Sequence, residues 1–328
     1  CVWVTAAAVE GLRLTDADVF LPASSLSHIA GSLFGLAALA GGGRLVIPRD
    51  NDGPEALSLL REFRPTVVWM LPAALVTLVR DHDAGKPDFS SIRLCLSGGD
   101  KVSAQLEREF TEMAGFPIDE GYGMTEFGLS TLNPPLGENR LGSVGKLAPG
   151  YEMSLRDDKG AEAPVGDVGR LWIRSAANMI GYWNNQQATA ETIVDGWIDT
   201  GDMMRVDESE YLWFCGRKKQ IIIHDGSNIC PQEVEEAVAE HPAIEAVGVI
   251  GVHDVVHGEN VRAYATWRPA ANRPTHAEII RFARERVGYK APDEIVILEE
   301  MPLNATGKVD RVKLKQMAED RLASVATA

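Results

Sequence analysis

Four short apolar runs, each followed by a helical stretch, set the narrowest limit on what this chain can fold into: Val19-Phe20-Leu21-Pro22, Arg44-Leu45-Val46-Ile47-Pro48, Thr66-Val67-Val68-Trp69-Met70 and Ile92-Arg93-Leu94-Cys95-Leu96. Such β-branched runs are the mark of buried strands. Between and after them, Ser27 to Leu39, Pro54 to Phe63, Pro72 toward Asp81 and Ala104 to Gly115 read as helices, with Pro72 in the favoured first turn. Val2 to Leu12 reads as a further helix. Strands in alternation with helices predict an α/β unit around a largely parallel sheet.

The texture changes after about Pro134. Gly-rich turns and short strands at 142–149, 152–155, 169–174 and 211–215 predict a β-rich unit. Beyond Gly216 it changes again: strands at 221–223, 247–250 and 261–267 alternate with helices from Pro231 to His241 and from Thr275 to Val287. The expected fold class is therefore α/β: a layered α/β part over 1–134, a β-rich part over 135–218, and a small mobile α+β domain over 219–328. A length of 328 residues with 45% hydrophobic and 24% charged content is enough for such cores.

The net charge of -15 repels polyphosphate backbones and disfavours a nucleic-acid partner, while leaving room for local nucleotide sites. Cys1, Cys95, Cys215 and Cys230 lack the close spacing of zinc or redox motifs, and such scattered thiols fit a reducing cytoplasm. No apolar run has the ~20 residues of a membrane helix. The chain begins at Cys1 inside what reads as a helix, which predicts that a preceding segment belongs to the polypeptide.

Several segments carry polar groups suited to nucleotide chemistry. Tyr122-Gly123-Met124-Thr125-Glu126 puts a hydroxyl beside a carboxylate, a pair able to hold phosphate and a hard cation. Taken alone, a loop with Thr125 capping a helix is the plainer reading. Ser97-Gly98-Gly99-Asp100 follows a strand, where parallel sheets bind ligands, and its glycines admit a planar ring close to the backbone. Thr200-Gly201-Asp202 offers a carboxylate to ribose hydroxyls or is a plain turn. Gly216-Arg217-Lys218-Lys219 is a cationic stretch or a solvated linker, and Asn304-Ala305-Thr306-Gly307-Lys308 is a small-residue turn bearing one Lys.

Taken in order, these segments resemble the superfamily of acyl-CoA synthetases, luciferases and peptide-synthetase adenylation domains. Gly142-Ser143-Val144-Gly145-Lys146, Gly181-Tyr182-Trp183-Asn184, Gly196-Trp197 and Ile229-Cys230-Pro231-Gln232-Glu233-Val234-Glu235 extend the resemblance along nearly the whole chain, with the acyl-CoA ligases matching most. The resemblance implies ATP (leaving AMP), CoA, Mg2+ and a small-molecule carboxylic acid as ligands, and it admits a homodimer. It implies that Thr125 contacts phosphate and Glu126 holds magnesium. Asp202 and Arg217 would take the ribose, and Tyr122 with Gly98, Gly99 and Asp100 would frame adenine, Gly123 and Met124 belonging to the same motif. Lys308 would bridge the carboxylate and α-phosphate, Lys219 would be the domain hinge, Gly226 would flank the pantetheine arm, and His28 would line the acyl and thiol side or else stand as a satisfied core histidine on an apolar helix.

Asp225 stands where the family usually has glycine, so the thiol entrance is expected to be altered. Ser24, Ser25 and Leu26 replace bulky aromatic neighbours of His28, which points to a wider acyl pocket. The family's Ser/Thr/Gly-rich phosphate loop is expected in the segment before Cys1. Without it, the alternatives are a ligase limited to making thioesters from supplied acyl-AMP, or a non-catalytic AMP-binding module.

Overall fold

The computed structural model describes residues 2–23, 25–49, 53–80, 87–99, 101–134, 137–269, 272–304 and 309–326. They form two units, Cys1–Phe214 and Cys215–Ala328.

In the first unit, β1 (Val19–Ala23), β2 (Arg44–Leu45), β3 (Val67–Met70), β4 (Leu94–Ser97) and β5 (Asp119–Met124) run parallel in the order β2-β1-β3-β4-β5. Then β6 (Gly128–Leu132) and β7 (Lys146–Leu147) extend the sheet antiparallel. Helices α1 (Val2–Leu12) and α2 (Ile29–Ala40) supply one face, and α3 (Gly53–Phe63), α4 (Pro72–Arg80) and α5 (Ala104–Ala114) the other. This layering explains why the strands are apolar throughout. Phe20 packs with Leu12, Phe34 and Ala37, while the next residue, Leu21, packs on the opposite face with Leu57, Leu75, Leu78 and Phe110.

The β-rich part is a second sheet of β8 (Glu152–Arg156), β9 (Val168–Arg174), β10 (Ile193–Val194), β11 (Trp197–Val206) and β12 (Leu212–Arg217), with the short helix α6 (Gln186–Thr192) before β10. Leu171, Ile173, Ile198, Met204 and Leu212 join the core that holds Phe20 and Trp69, so both sheets of this unit share one interior.

The second unit carries β13 (Ile222–His224), β14 (Ser227–Ile229), β15 (Ile244–Asp254), β16 (Gly258–Trp267) and β17 (Glu294–Leu298). The sheet order is β14-β13-β16-β15, with β17 parallel to β16. Helices α7 (Pro231–Ala239) and α8 (His276–Val287) bury Val234, Val238, Ile279 and Ala283 on one side. Helix α9 (Arg311–Ala326) packs Leu314 and Ala318 against Ile250 and Tyr264 on the other. Thr275 starts α8 through a reciprocal capping box with Glu278. Among the described residues, no helix is long and apolar enough to cross a membrane.

Three local expectations need correcting. Tyr122 to Glu126 is not a capped helix start: residues 119–124 form a strand, and a tight turn returns the chain along β6. Thr200-Gly201-Asp202 is not an isolated turn but an irregularity inside β11, where the register against β9 shifts between Asp199 and Met203. The run from Arg44 to Pro48 is a strand only over Arg44–Leu45.

The amino end of the sheet is tied by one polar knot. Arg93, preceding β4, donates from Nε to Asp18 Oδ1 at 2.8 Å and from Nη2 to Oδ2 at 2.9 Å. Thr66 Oγ1 donates to Asp18 at 2.7 Å and accepts from the Val19 amide at 3.0 Å, so β1, β3 and β4 share one set of bonds. Burial alone raises the Asp18 pKa, but the bonds from Arg93, Thr66 and the Thr15 amide outweigh it and hold the carboxylate well below its ordinary range. Asp18→Ala should lower stability by about 3 kcal/mol, the low end for a broken buried pair because Arg93 keeps some solvent. The depressed pKa makes the contribution complete above about pH 4 and lost as pH falls through the folded-state value. Urea unfolding of the protein and variant at pH 7 and pH 3 checks both: the gap between midpoints should narrow in acid.

Candidate active site

The strand order β2-β1-β3-β4-β5 reverses direction between β1 and β3, and ligands of such sheets bind outside the carboxyl ends of the strands at that switch. A cleft open to solvent lies at the carboxyl ends of β3, β4 and β5, beside the start of α2. Its walls are unlike. Ala30, Leu33 and Phe34 of α2 with Trp69 of β3 line it with apolar side chains, and Gly98, Gly99, Gly121 and Gly123 line it without any.

The glycines are required by packing. A Cβ on Gly98 would lie 2.8 Å from the Gly121 carbonyl oxygen, one on Gly121 2.9 Å from that of Thr131, and one on Gly123 2.2 Å from that of Gly128. The ends of β4, β5 and β6 thus approach backbone to backbone and leave a bare, polar wall.

His28 is the N-cap of α2. Its Nδ1 accepts from the Ala30 amide at 3.3 Å, and its ring lies near-parallel to Trp69 with centroids 6.5 Å apart. It is exposed at the cleft and is not a core histidine. Helix α2 therefore starts at Ile29, two residues later than its composition suggests.

On β5, the Tyr122 hydroxyl donates to Asp202 Oδ2 on β11 at 2.6 Å. The Tyr122 ring is backed by Phe214, centroids 6.3 Å apart and planes 28° from parallel. Asp202 is 1% exposed, and the irregularity before it is held by Thr200, whose Oγ1 donates to the Leu171 carbonyl at 2.8 Å and accepts from the Asp202 amide at 3.1 Å. The Tyr122–Asp202 bond thus reaches from one sheet to the other and places the expected adenine and ribose residues side by side.

Thr125 and Glu126 occupy the turn between β5 and β6, Thr125 exposed. The Met179 amide donates to the Glu126 carbonyl at 2.7 Å, and the Tyr182 hydroxyl donates to Glu126 Oε1 at 2.7 Å. Tyr182 had no assigned role in the sequence reading, although its Gly-Tyr-Trp-Asn segment marked it. Burial, then the Glu126 carboxylate, raises the Tyr182 pKa, so it remains a hydrogen-bond donor at neutral pH. A partly exposed carboxylate next to an exposed hydroxyl suits Mg2+, which takes one or two carboxylates and completes its shell with phosphate oxygens and water.

The remaining site candidates belong to the second unit or lie outside the described residues. Arg217 ends β12 and Lys219 lies in a 3-10 turn, Lys218–Gln220, both exposed. Gly226 follows Asp225 at the β13–β14 turn, where the two have φ of 74° and 49°. Two consecutive residues at positive φ in a two-residue hairpin loop are the Asp-Gly form of a type I′ turn. Asp225 thus preserves the turn that a glycine would make, and no atom lies within 4 Å of where a Gly226 Cβ would stand. Asp100 and Lys308 lie outside the described residues.

Residues 2–183 match the family model for AMP-binding enzymes, and residues 233–308 match that for the AMP-binding enzyme C-terminal domain. The chain belongs to the AMP-binding enzyme family. It is 35% identical over 267 residues to a long-chain-fatty-acid–CoA ligase of Bacillus subtilis, across 80% of this chain and 47% of that one. Among solved structures, it is similar to the amide bond synthetase McbA from Marinactinospora thermotolerans, with TM-score 0.89 and 29% identity over 96% of this chain and 64% of McbA. It is equally similar to the anthranilate CoA ligase AuaEII in complex with anthranoyl-AMP, with TM-score 0.88 and 30% identity over 98% of this chain and 64% of that one. The chain spans about half the length of the curated relative and less than two thirds of each solved chain.

Within this AMP-binding enzyme, Tyr122→Phe keeps the ring and removes the bond to Asp202. AMP affinity of the full-length protein, measured by calorimetry, should fall about fivefold to tenfold, the worth of roughly 1 kcal/mol. Unchanged affinity would show that Asp202 needs no orientation by Tyr122.

Proposed function

We propose that the full-length protein is an AMP-forming acyl-CoA ligase that activates an apolar carboxylic acid. The observation that carries this reading is the two kinds of lining in the cleft: an apolar wall of Leu33, Phe34 and Trp69, and a bare glycine wall at the strand ends. The first wall suits an acyl group and the second a nucleotide ring, and a carboxylate lying between them meets the α-phosphate. The relatives point the same way, since one is named for long-chain fatty acids and another structure holds anthranoyl-AMP.

In the first half-reaction the acid's carboxylate oxygen attacks the α-phosphorus of ATP, and pyrophosphate leaves. Gly98, Gly99, Asp100 and Tyr122 frame adenine with Gly123 and Met124 beside them, and Asp202 with Arg217 holds the ribose. Thr125 binds phosphate, and Glu126, steadied by Tyr182, would hold Mg2+, whose charge would offset that of the leaving pyrophosphate. Lys308 supplies a cation between two anions brought together, and such preorganised charge is worth most where water is excluded. In the second half-reaction the small domain pivots at Lys219, the CoA thiol passes Gly226 and attacks the acyl carbonyl near His28, and AMP leaves. The enzyme acts in the cytoplasm on small molecules, and a homodimer is compatible with this scheme.

The likeness to an amide bond synthetase favours a second reading, in which an amine takes the acyl group from the same adenylate. Two variants of the full-length protein separate the steps. Lys308→Ala should slow acyl-AMP formation about 100- to 1,000-fold and leave thioester formation from synthetic acyl-AMP intact. Gly226→Leu should spare acyl-AMP formation and slow CoA turnover alone. Equal loss of both halves in Lys308→Ala would remove its assigned role, and amide formation without any CoA turnover in the parent protein would select the second reading.

A further inference from the structure

At the tip of the second unit's sheet, two turns bring three potential metal ligands together. Donor atoms of His224, Asp225 and His257 all lie within 4.8 Å of one another. His224 ends β13, Asp225 begins the hairpin loop after it, and His257 lies in the turn between β15 and β16. None of them is used by the chemistry proposed above.

The arrangement is built rather than incidental. The Asp225 amide donates to the His257 carbonyl at 2.9 Å, pinning one turn to the other. Asp254 Oδ1 accepts from the amides of Val256 at 2.9 Å and His257 at 2.8 Å, fixing the second turn from within. The two imidazoles lie near-parallel, centroids 5.1 Å apart and planes 25° from parallel.

The ring nitrogens decide what the cluster accepts. His224 Nδ1 is 2.6 Å from the carbonyl oxygen of Glu259, so that nitrogen carries the hydrogen and donates it. In neutral His224 the lone pair is then on Nε2, which faces Asp225 Oδ2 at 3.7 Å. Two acceptors opposed at that distance are satisfied by a cation between them. A ligating histidine that donates its other N–H to a backbone carbonyl is also the usual way such a ligand is oriented. On the far side, His257 Nδ1 donates to Asp225 Oδ1 at 2.8 Å. A metal ion takes the place of that bridging proton: neutral His257 binds through the tautomer that carries its one hydrogen on Nε2, and imidazolium His257 loses the Nδ1 proton to solvent and keeps the one on Nε2.

We propose that His224, Asp225 and His257 form a binding site for a borderline divalent transition-metal ion of the Zn2+ class. Two imidazoles and one carboxylate suit such an ion and leave a further position for water, whereas Mg2+ and Ca2+ prefer all-oxygen shells. The carboxylate side chain is 59% exposed and that of His257 42%, so the ion has an open path. Occupancy ties the β13–β14 turn to the β15–β16 turn. The site depends on the second unit alone and stands or falls apart from the ligase reading.

The test is calorimetric titration of the full-length protein with Zn2+ in excess Mg2+, with Co2+ as an absorbance probe of the ligand set. The expected result is one Zn2+ bound with a dissociation constant on the order of 1 µM or tighter. His257→Ala and Asp225→Asn should each weaken it at least about tenfold. His224 is more buried, so these two exposed positions are the safer substitutions, and His276→Ala on α8 should bind as the parent does. No stoichiometric Zn2+ binding, or binding unchanged in His257→Ala and Asp225→Asn, would overturn the proposal.

Discussion

The close approach of three strand ends is the constraint on which the site rests. Gly98, Gly121 and Gly123 let β4, β5 and β6 meet with carbonyl oxygens where side chains would stand, and a single Cβ on Gly123 would lie 2.2 Å from a backbone oxygen. Because β5 can run there, Tyr122 reaches Asp202 on the second sheet, and the following turn carries Thr125 and Glu126 to Tyr182. The glycines thus shape a bare wall for a ring and position the polar groups around it.

The two ends of the parallel sheet do different work. At the amino end, Asp18, Thr66 and Arg93 form a bonded knot that ties three strands. At the carboxyl end the chain leaves backbone and ring faces open to a cleft. A rigid base under an open mouth is what lets a site keep its geometry while its ligands change between steps. The β-rich sheet contributes by sharing the core of the first, so that Asp202 is fixed relative to Tyr122 by packing as well as by the bond.

Much of this was legible before any coordinates. Runs buried on both faces have no polar alternation, so the strands at Val19 to Pro22 and Thr66 to Met70 declared themselves, as did the helix from Thr275 to Val287. The β5–β6 hairpin did not, because Asp119-Glu120-Gly121-Tyr122-Gly123-Met124 is acidic and glycine-rich, with Tyr122 alone favouring a strand. It is extended because β4 and β6 pair with it. Thr200-Gly201-Asp202 has the composition of a turn, and only the neighbouring strand shows it to be a kink within β11. The bonds from Tyr182 to Glu126 and from Arg93 to Asp18 join residues 56 and 75 positions apart, and no local pattern encodes them. Asp225 looked like a disruption of the thiol entrance. Its positive φ shows that it serves the turn, as Asp before Gly does in a tight hairpin.

The central claim is that the cleft joins an apolar acid to AMP. Isotope exchange between pyrophosphate and ATP, catalysed by the full-length protein with Mg2+ and a panel of carboxylic acids, tests it most directly. The account predicts exchange that depends on added acid and favours apolar acyl groups over short charged ones. Tight AMP binding with no exchange for any acid would contradict it, leaving a module that holds the nucleotide without activating a carboxylate.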